Sequence, residues 1–226
     1  MKLPLPLVLA TGNPDKAREI VEVFVTELDE PLAAAALTIG DETVGFLLDR
    51  PETVASALGG LRHPTERPDV EETGTTFEEN ARIKAEAVGR AFGTVAVAED
   101  TGLVVDSLGG RPGVQTARYA GAGATAADNV RKLLDEVRGR SRAARFVTVA
   151  LVWRPDGDET VVRGEVEGSI AEEPRGDGGW GYDPVFVPRD ADGRTFAEMS
   201  APEKHALSHR GRAFRALAAA LGEQEA

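Results

Sequence analysis

Short apolar, often β-branched runs alternate irregularly with stretches of helical periodicity along the chain, and this pattern restricts the fold more than any other feature. Residues 7–10, 37–39, 44–48, 94–98 and 103–105 read as strands. So do residues 146–153 and 160–170, which flank a turn at 154–159 and predict a hairpin. Residues 15–28 and 126–137 carry helical spacing, the alanines of 33–36 favour helix, and 205–221 reads as one alanine-rich C-terminal helix. Residues 63–69 form a proline-rich connector. Helical crossovers make strands parallel and hairpins make them antiparallel, so the expected fold is α/β with a mixed sheet.

Composition removes several chemistries. The 226 residues include no cysteine, which excludes a disulfide framework, a thiolate zinc site and a cysteine nucleophile. Three histidines leave little for a multi-histidine metal site. A chain of this length buries well over half of its unfolded surface and needs no such staple. The net charge of −12 argues against non-specific binding to a nucleic-acid backbone, which relies on lysine and arginine releasing counterions. The opening MKLPLPLVLA is too short and too interrupted by proline for a signal-peptide core or a membrane span, so a cytoplasmic protein without membrane partners is expected.

What remains for chemistry is carboxylates, lysines and glycine loops. Glu71-Glu72-Thr73-Gly74 and Glu99-Asp100-Thr101-Gly102 place hard oxygen donors beside sharp-turning glycines, a donor type that suits magnesium. Asp100 is expected to end a strand, where α/β sheets build their sites. Thr11-Gly12-Asn13-Pro14 has turn chemistry, with Asp15 and Lys16 opening the helix after it, and a helix N-terminus holds phosphate well. Thr75 or Thr76 with Glu78 and Glu79 predicts a capping box and a helix to about Phe92. Phe77, Ala81, Val88 and Phe92 make its apolar face; Lys84 lies on that face with Asn80 one turn before it, so its ammonium must snorkel or meet an anion. Glycines around Trp180 in Gly178-Gly179-Trp180-Gly181-Tyr182-Asp183-Pro184 let backbone approach a ligand, and an indole can stack on a base. No Walker-type phosphate loop, dinucleotide fingerprint or serine nucleophile elbow occurs.

Taken together, these segments resemble the inosine/xanthosine triphosphate pyrophosphatase family. The resemblance rests on Leu9-Ala10-Thr11-Gly12-Asn13 with Lys16, Glu72-Thr73-Gly74 with Phe77-Glu78-Glu79-Asn80-Ala81 and Lys84, and Glu99-Asp100-Thr101-Gly102-Leu103. It continues through Leu108-Gly109-Gly110, Ala117-Arg118-Tyr119-Ala120-Gly121, Gly179-Trp180-Gly181-Tyr182-Asp183-Pro184, and Glu203-Lys204 with Ser208-His209-Arg210. It implies hydrolysis between the α- and β-phosphates of inosine, deoxyinosine and xanthosine triphosphates, with Mg2+, and usually a homodimer. The implied architecture is one two-lobed domain over 1–226, a long mixed sheet bent between lobes with the site in the cleft.

Under that resemblance Asp100 is the catalytic residue, holding magnesium or deprotonating the attacking water, and Glu72 or its neighbour Glu71 completes the metal site. Thr11, Gly12, Asn13, Pro14, Asp15 and Lys16 cradle the triphosphate, Lys84 faces phosphate, and Thr101 lies against the nucleotide. Trp180, Gly181, Tyr182 and Asp183 form the base pocket, with Lys204, His209 and Arg210 as its hydrogen-bonding edge. Residues 26–70 are longer than the resemblance leads one to expect and carry none of its motifs. Two other readings compete: a Maf-like nucleotide pyrophosphatase, and a nucleotide-binding or sensor protein without turnover.

Overall fold

The structure is a computed structural model and describes residues 7–11, 13, 15–16, 19–20, 22–23, 33–39, 42–48 and 70–223. Its strands are β1 (Leu7–Leu9), β2 (Ala33–Ile39), β3 (Glu42–Leu48), β4 (Val95–Val105), β5 (Ala143–Trp153), β6 (Glu159–Ile170) and β7 (Phe186–Pro188). They form one seven-stranded sheet in the order β2-β3-β1-β4-β5-β6-β7. β1 pairs parallel to β4 and antiparallel to β3, β2 is antiparallel to β3 and β7 to β6, so the sheet is mixed as expected. The turn between β5 and β6 is closed by the Arg154 N–H on the Asp158 carbonyl at 3.0 Å. The helices are α1 (Phe77–Phe92), α2 (Ala126–Glu136), α3 (Ala201–Leu207) and α4 (His209–Glu223), preceded by helical residues at 15–16, 19–20 and 22–23.

Three sequence expectations are corrected. Residues 33–36 are strand: their alanines favour helix weakly, but Ala33 pairs with Leu48 and Ala36 with Gly45, and hairpin pairing overrides propensity. Asp100 does not end a strand. β4 runs unbroken through it to Val105, between β1 and β5 in the sheet. The C-terminal helix is two helices. Ser208 adopts an extended conformation, its N–H closes α3 on the Lys204 carbonyl, and its Oγ accepts the Gly211 N–H at 3.0 Å as a helix-starting cap. His209 and Arg210 consequently sit in the first turn of α4. The expected connector at 63–69, Phe24 and residues 27–28 lie outside the described residues.

The chain divides into two compact units, Met1–Asp100 with Val149–Arg163 and Ala213–Ala226, and Thr101–Thr148 with Gly164–Arg212. In the first unit the pleat of β4 sorts its side chains by face. Val97 packs with Ile20, Val23, Phe214, Leu217 and Leu221, the last three at the helical spacing of α4. Ala96 and Ala98 pack with Ala81, Ala85 and Val88 of α1. Gly89 lets α1 lie against Trp153, whose ring occupies the space of a β-carbon there. The second unit has its own core, in which Leu103, Phe146, Phe186 and Phe196 meet Val130 and Leu133 of α2.

Candidate active site

Because Glu99 and Asp100 are neighbours on a strand, they leave the sheet on opposite faces, and each meets a lysine from a different segment. Lys16 Nζ lies 2.8 Å from Glu99 Oε1. On the other face Lys84 Nζ lies 3.2 Å from Asp100 Oδ1 and 3.2 Å from Glu72 Oε1. The start of α1 fixes this second group. Thr76 caps the helix, Glu79 answers with its side chain on the Thr76 N–H, and the first turn packs through buried Asn80 and Ala81. Asn80 Nδ2 donates to Asp100 Oδ2 at 3.2 Å. The anions that Lys84 meets within the chain are therefore carboxylates.

These contacts set the charge states. Burial pushes the Asp100 carboxyl above the usual carboxylate range; Lys84 and Lys16 oppose that shift, and the like charges of Glu72 and Glu99 reinforce it. For Lys84 burial acts downward, but the attraction of Asp100, Glu72 and Glu99 outweighs it and holds the ammonium above its ordinary value. Among the described residues no group of three His, Cys, Asp or Glu side chains could hold a metal ion. Glu72 and Asp100, however, converge on one cation, the Lys84 ammonium. Two oxygen donors fit a hard divalent ion that completes its shell with water and substrate phosphate, rather than an ion caged by protein alone. Glu71 is exposed, whereas Glu72 is half-buried in the cluster.

The turn at the start of the chain is partly described. Thr11 is buried and its Oγ1 accepts the Asn13 N–H at 3.2 Å. Asn13 Oδ1 accepts from the backbone N–H groups of Asp15 at 2.9 Å and Lys16 at 3.2 Å, so two helix donors expected for phosphate serve the cap. Gly12 and Pro14 lie outside the described residues.

In the second unit the glycine-rich loop is organised by one buried ion pair. Asp183 Oδ2 accepts from Lys204 Nζ at 2.7 Å and from the Trp180 backbone N–H at 2.8 Å. Both charged side chains are almost wholly buried. Gly179, at φ +67°, leaves the room that Asp183 needs, since any β-carbon there would collide with its carboxylate. Lys204 Nζ lies 5.8 Å from the Trp180 ring centroid and the Arg210 guanidinium 5.2 Å from it. Arg210 is 1% exposed, and its Nη2 reaches Thr101 Oγ1 at 3.5 Å. Thr101 Oγ1 in turn lies 2.6 Å from Thr148 Oγ1. The Tyr182 hydroxyl donates to the Thr116 carbonyl at 3.1 Å, and burial, with a smaller effect of Tyr119, pushes its ionisation up. His209 stacks on Phe146 with ring centroids 4.5 Å apart and planes 12° from parallel. Gly181, at φ +64°, turns the loop between Trp180 and Tyr182.

The structure thus joins Asp100, Glu72 and Lys84 in one group, and Trp180, Asp183, Lys204, Arg210 and Thr101 in another. Sequence reasoning assigned no role to Asn80, to Glu99 as the partner of Lys16, or to Thr148. An amide on the buried face of α1 was the available signal, since buried polar groups need partners. Thr148 is the corresponding signal in β5, a hydroxyl with apolar residues on either side.

Paired oxygen donors faced by lysines, and a glycine loop presenting an indole beside a buried guanidinium, define an α/β protein equipped to handle phosphorylated ligands. Comparison with known proteins is more specific. The Ham1 family profile matches residues 7–220. The dITP/XTP pyrophosphatase of Symbiobacterium thermophilum is 47% identical over 210 residues, covering 92% of this chain and 90% of that protein. That of Bacillus subtilis is 41% identical over 217 residues, covering 95% and 96%. A solved HAM1 protein from Coxiella burnetii has a TM-score of 0.74 at 35% identity, covering 96% of this chain and 98% of that one. The chain belongs to the Ham1 family, which favours the first sequence reading over the Maf-like one.

Proposed function

We propose that this chain hydrolyses the α–β phosphoanhydride bond of deoxyinosine, inosine and xanthosine triphosphates, releasing the nucleoside monophosphate and pyrophosphate. The names of its 47% and 41% identical relatives support the activity. The observation that carries the mechanism is the buried Asp100 carboxylate, aimed by Asn80 on one oxygen and Lys84 on the other.

In this reading Asp100 Oδ accepts the proton of the attacking water. Glu72 and Asp100 would hold Mg2+ together with phosphate oxygens, Glu72 being preferred to exposed Glu71. When bound, the ion supplies charge compensation for the phosphates and polarises the reacting centre. Lys84 and Lys16 add positive charge; Thr11, Gly12, Asn13, Pro14 and Asp15 line the triphosphate path. Trp180 stacks on the base, with Gly181, Tyr182 and Asp183 shaping the pocket, and Lys204, His209 and Arg210 give its polar edge. Thr101 supports the nucleotide. Donors aimed at a 6-oxo acceptor are left unpaired by adenine, a mismatch worth roughly 10⁴-fold. One catalytic domain and a homodimer belong to the same reading and rest on the family resemblance; a cytoplasmic setting is proposed with them. Among the described residues no helix is long and apolar enough to cross a membrane.

The test is pyrophosphate release from dITP, XTP, dGTP and dATP, each with magnesium and with chelator. Metal-dependent release favouring dITP and XTP is expected. Binding without release would support a sensor instead, and equal release from all four would remove base selection from the Trp180 loop.

A further inference from the structure

We infer that Asn80 is a positioning residue that locks the two proposed metal-binding carboxylates, Asp100 and Glu72, into one arrangement. Its carboxamide works at both ends. Nδ2 donates to Asp100 Oδ2 at 3.2 Å, and Oδ1 accepts the Gly74 N–H at 2.8 Å. Gly74 lies two residues after Glu72, whose Oε1 meets Lys84, and Lys84 returns to Asp100 Oδ1. The contacts therefore close a ring through Asp100, Asn80, the 72–74 segment and Lys84.

Only an amide fits this ring. A carboxylate in its place would set an acceptor against Asp100, an apolar side chain would strand the Gly74 N–H, and a flipped amide would oppose like groups at both ends. Gly74 answers the same geometry, because a β-carbon there would stand 2.6 Å from Asn80 Oδ1 and 2.7 Å from Glu79 Cβ. Asn80 cannot drift to compensate. It is 1% exposed and sits in the first turn of a helix pinned by the Thr76–Glu79 capping box and by buried Ala81, Ala85 and Val88. Partners of this kind around a metal site commonly change affinity or activity by 10 to 100-fold.

The inference rests on the reading of Asp100 and Glu72 given above, and the experiment separates the two. For the full chain, Asn80→Ala, Asn80→Ser and Gly74→Ala are compared with wild type by Mn2+ titration without nucleotide, followed by electron paramagnetic resonance, and by kcat and KM for dITP with magnesium. The expected result for folded Asn80→Ala is Mn2+ affinity weakened about 10-fold and kcat reduced about 10 to 100-fold, with KM changed far less. Asn80→Ser, which fills part of the site with a hydroxyl, should fall between, and Gly74→Ala should reproduce the pattern. A structural role alone would lower unfolding stability but leave both quantities unchanged per folded molecule. Wild-type Mn2+ affinity and kcat in either folded Asn80 variant would overturn the inference. Wild type that binds Mn2+ but releases no pyrophosphate would fail the proposed function instead, leaving the Mn2+ comparison to decide the role of Asn80.

Discussion

In the first unit three carboxylates, Glu72, Glu99 and Asp100, face the ammonium groups of Lys16 and Lys84; in the second, Asp183 and Lys204 meet one to one. Among the described residues the first group sets three carboxylates against two ammonium groups, and the Glu72 side chain remains 32% exposed. It has room for a further cation and for a ligand that brings its own charge. The second is buried, with the Arg210 guanidinium beside the Asp183–Lys204 pair, and its contribution is shape: Asp183 fixes the Trp180 backbone and Lys204 stands near the indole. Excess charge near solvent suits chemistry on phosphate, and a closed pair suits recognition of an uncharged base.

The contrast makes Asp100 and the two lysines behave differently when removed. Asp100→Asn should keep the fold, seen by circular dichroism, and lower turnover by about 10³-fold or more, because an amide neither takes the water's proton nor balances a metal ion. Near-normal turnover would take Asp100 out of the mechanism. Lys204→Met should act first on stability. It leaves the Asp183 carboxylate buried without its ammonium, at a cost of about 3–5 kcal/mol in denaturant unfolding. Lys84→Met should shift the emphasis: buried Asp100 loses its ammonium but keeps the Asn80 amide, and Glu72 can rehydrate, so the cost should be smaller, about 1–3 kcal/mol, while turnover falls by about 10²-fold. Equal stability losses for the two lysines would erase the distinction between the groups.

Smaller effects refine the second group. Gly179→Ala forces a side chain onto φ +67° and against Asp183, so a loss of about 1–3 kcal/mol is expected, with weaker preference for dITP over dATP in single-turnover assays. The smallest concerns α3. Arg194, then the Ser200 hydroxyl and N–H, hold the Glu203 carboxyl down at about 2. A depressed carboxyl contributes stability that is present above its unfolded value and lost as pH falls through the folded one. Between about pH 4.5 and about pH 2 wild type should therefore lose stability that Glu203→Gln never had, measured as converging urea midpoints.

How much of this was legible in the sequence depends on the range of the contacts. The capping box of α1 lies within four residues, so local spacing narrowed it to Thr75 or Thr76 with Glu78 and Glu79 and gave the boundary near Phe92; the structure selects Thr76 and Glu79. The β5–β6 hairpin was legible for the same reason. The strand at 33–36 was not, since alanine favours helix and only pairing with β3 overrules it. The continuity of β4 through Asp100 was not legible because Thr101-Gly102 imitates a turn signal, while the neighbouring strands that frame it come from distant segments. Asp183 and Lys204 were each picked out in the sequence, but their pairing across 21 residues was not legible there. Nor did local pattern disclose that Asn80 spans Gly74 and Asp100, because its partners come from a loop and a strand.

The bond that is cut is the most telling observable. Phosphorus NMR of dITP turned over with magnesium should show dIMP and pyrophosphate appearing one to one, as expected if the group around Asp100 directs water to the α–β linkage. Deoxyinosine diphosphate with orthophosphate as the products would contradict it.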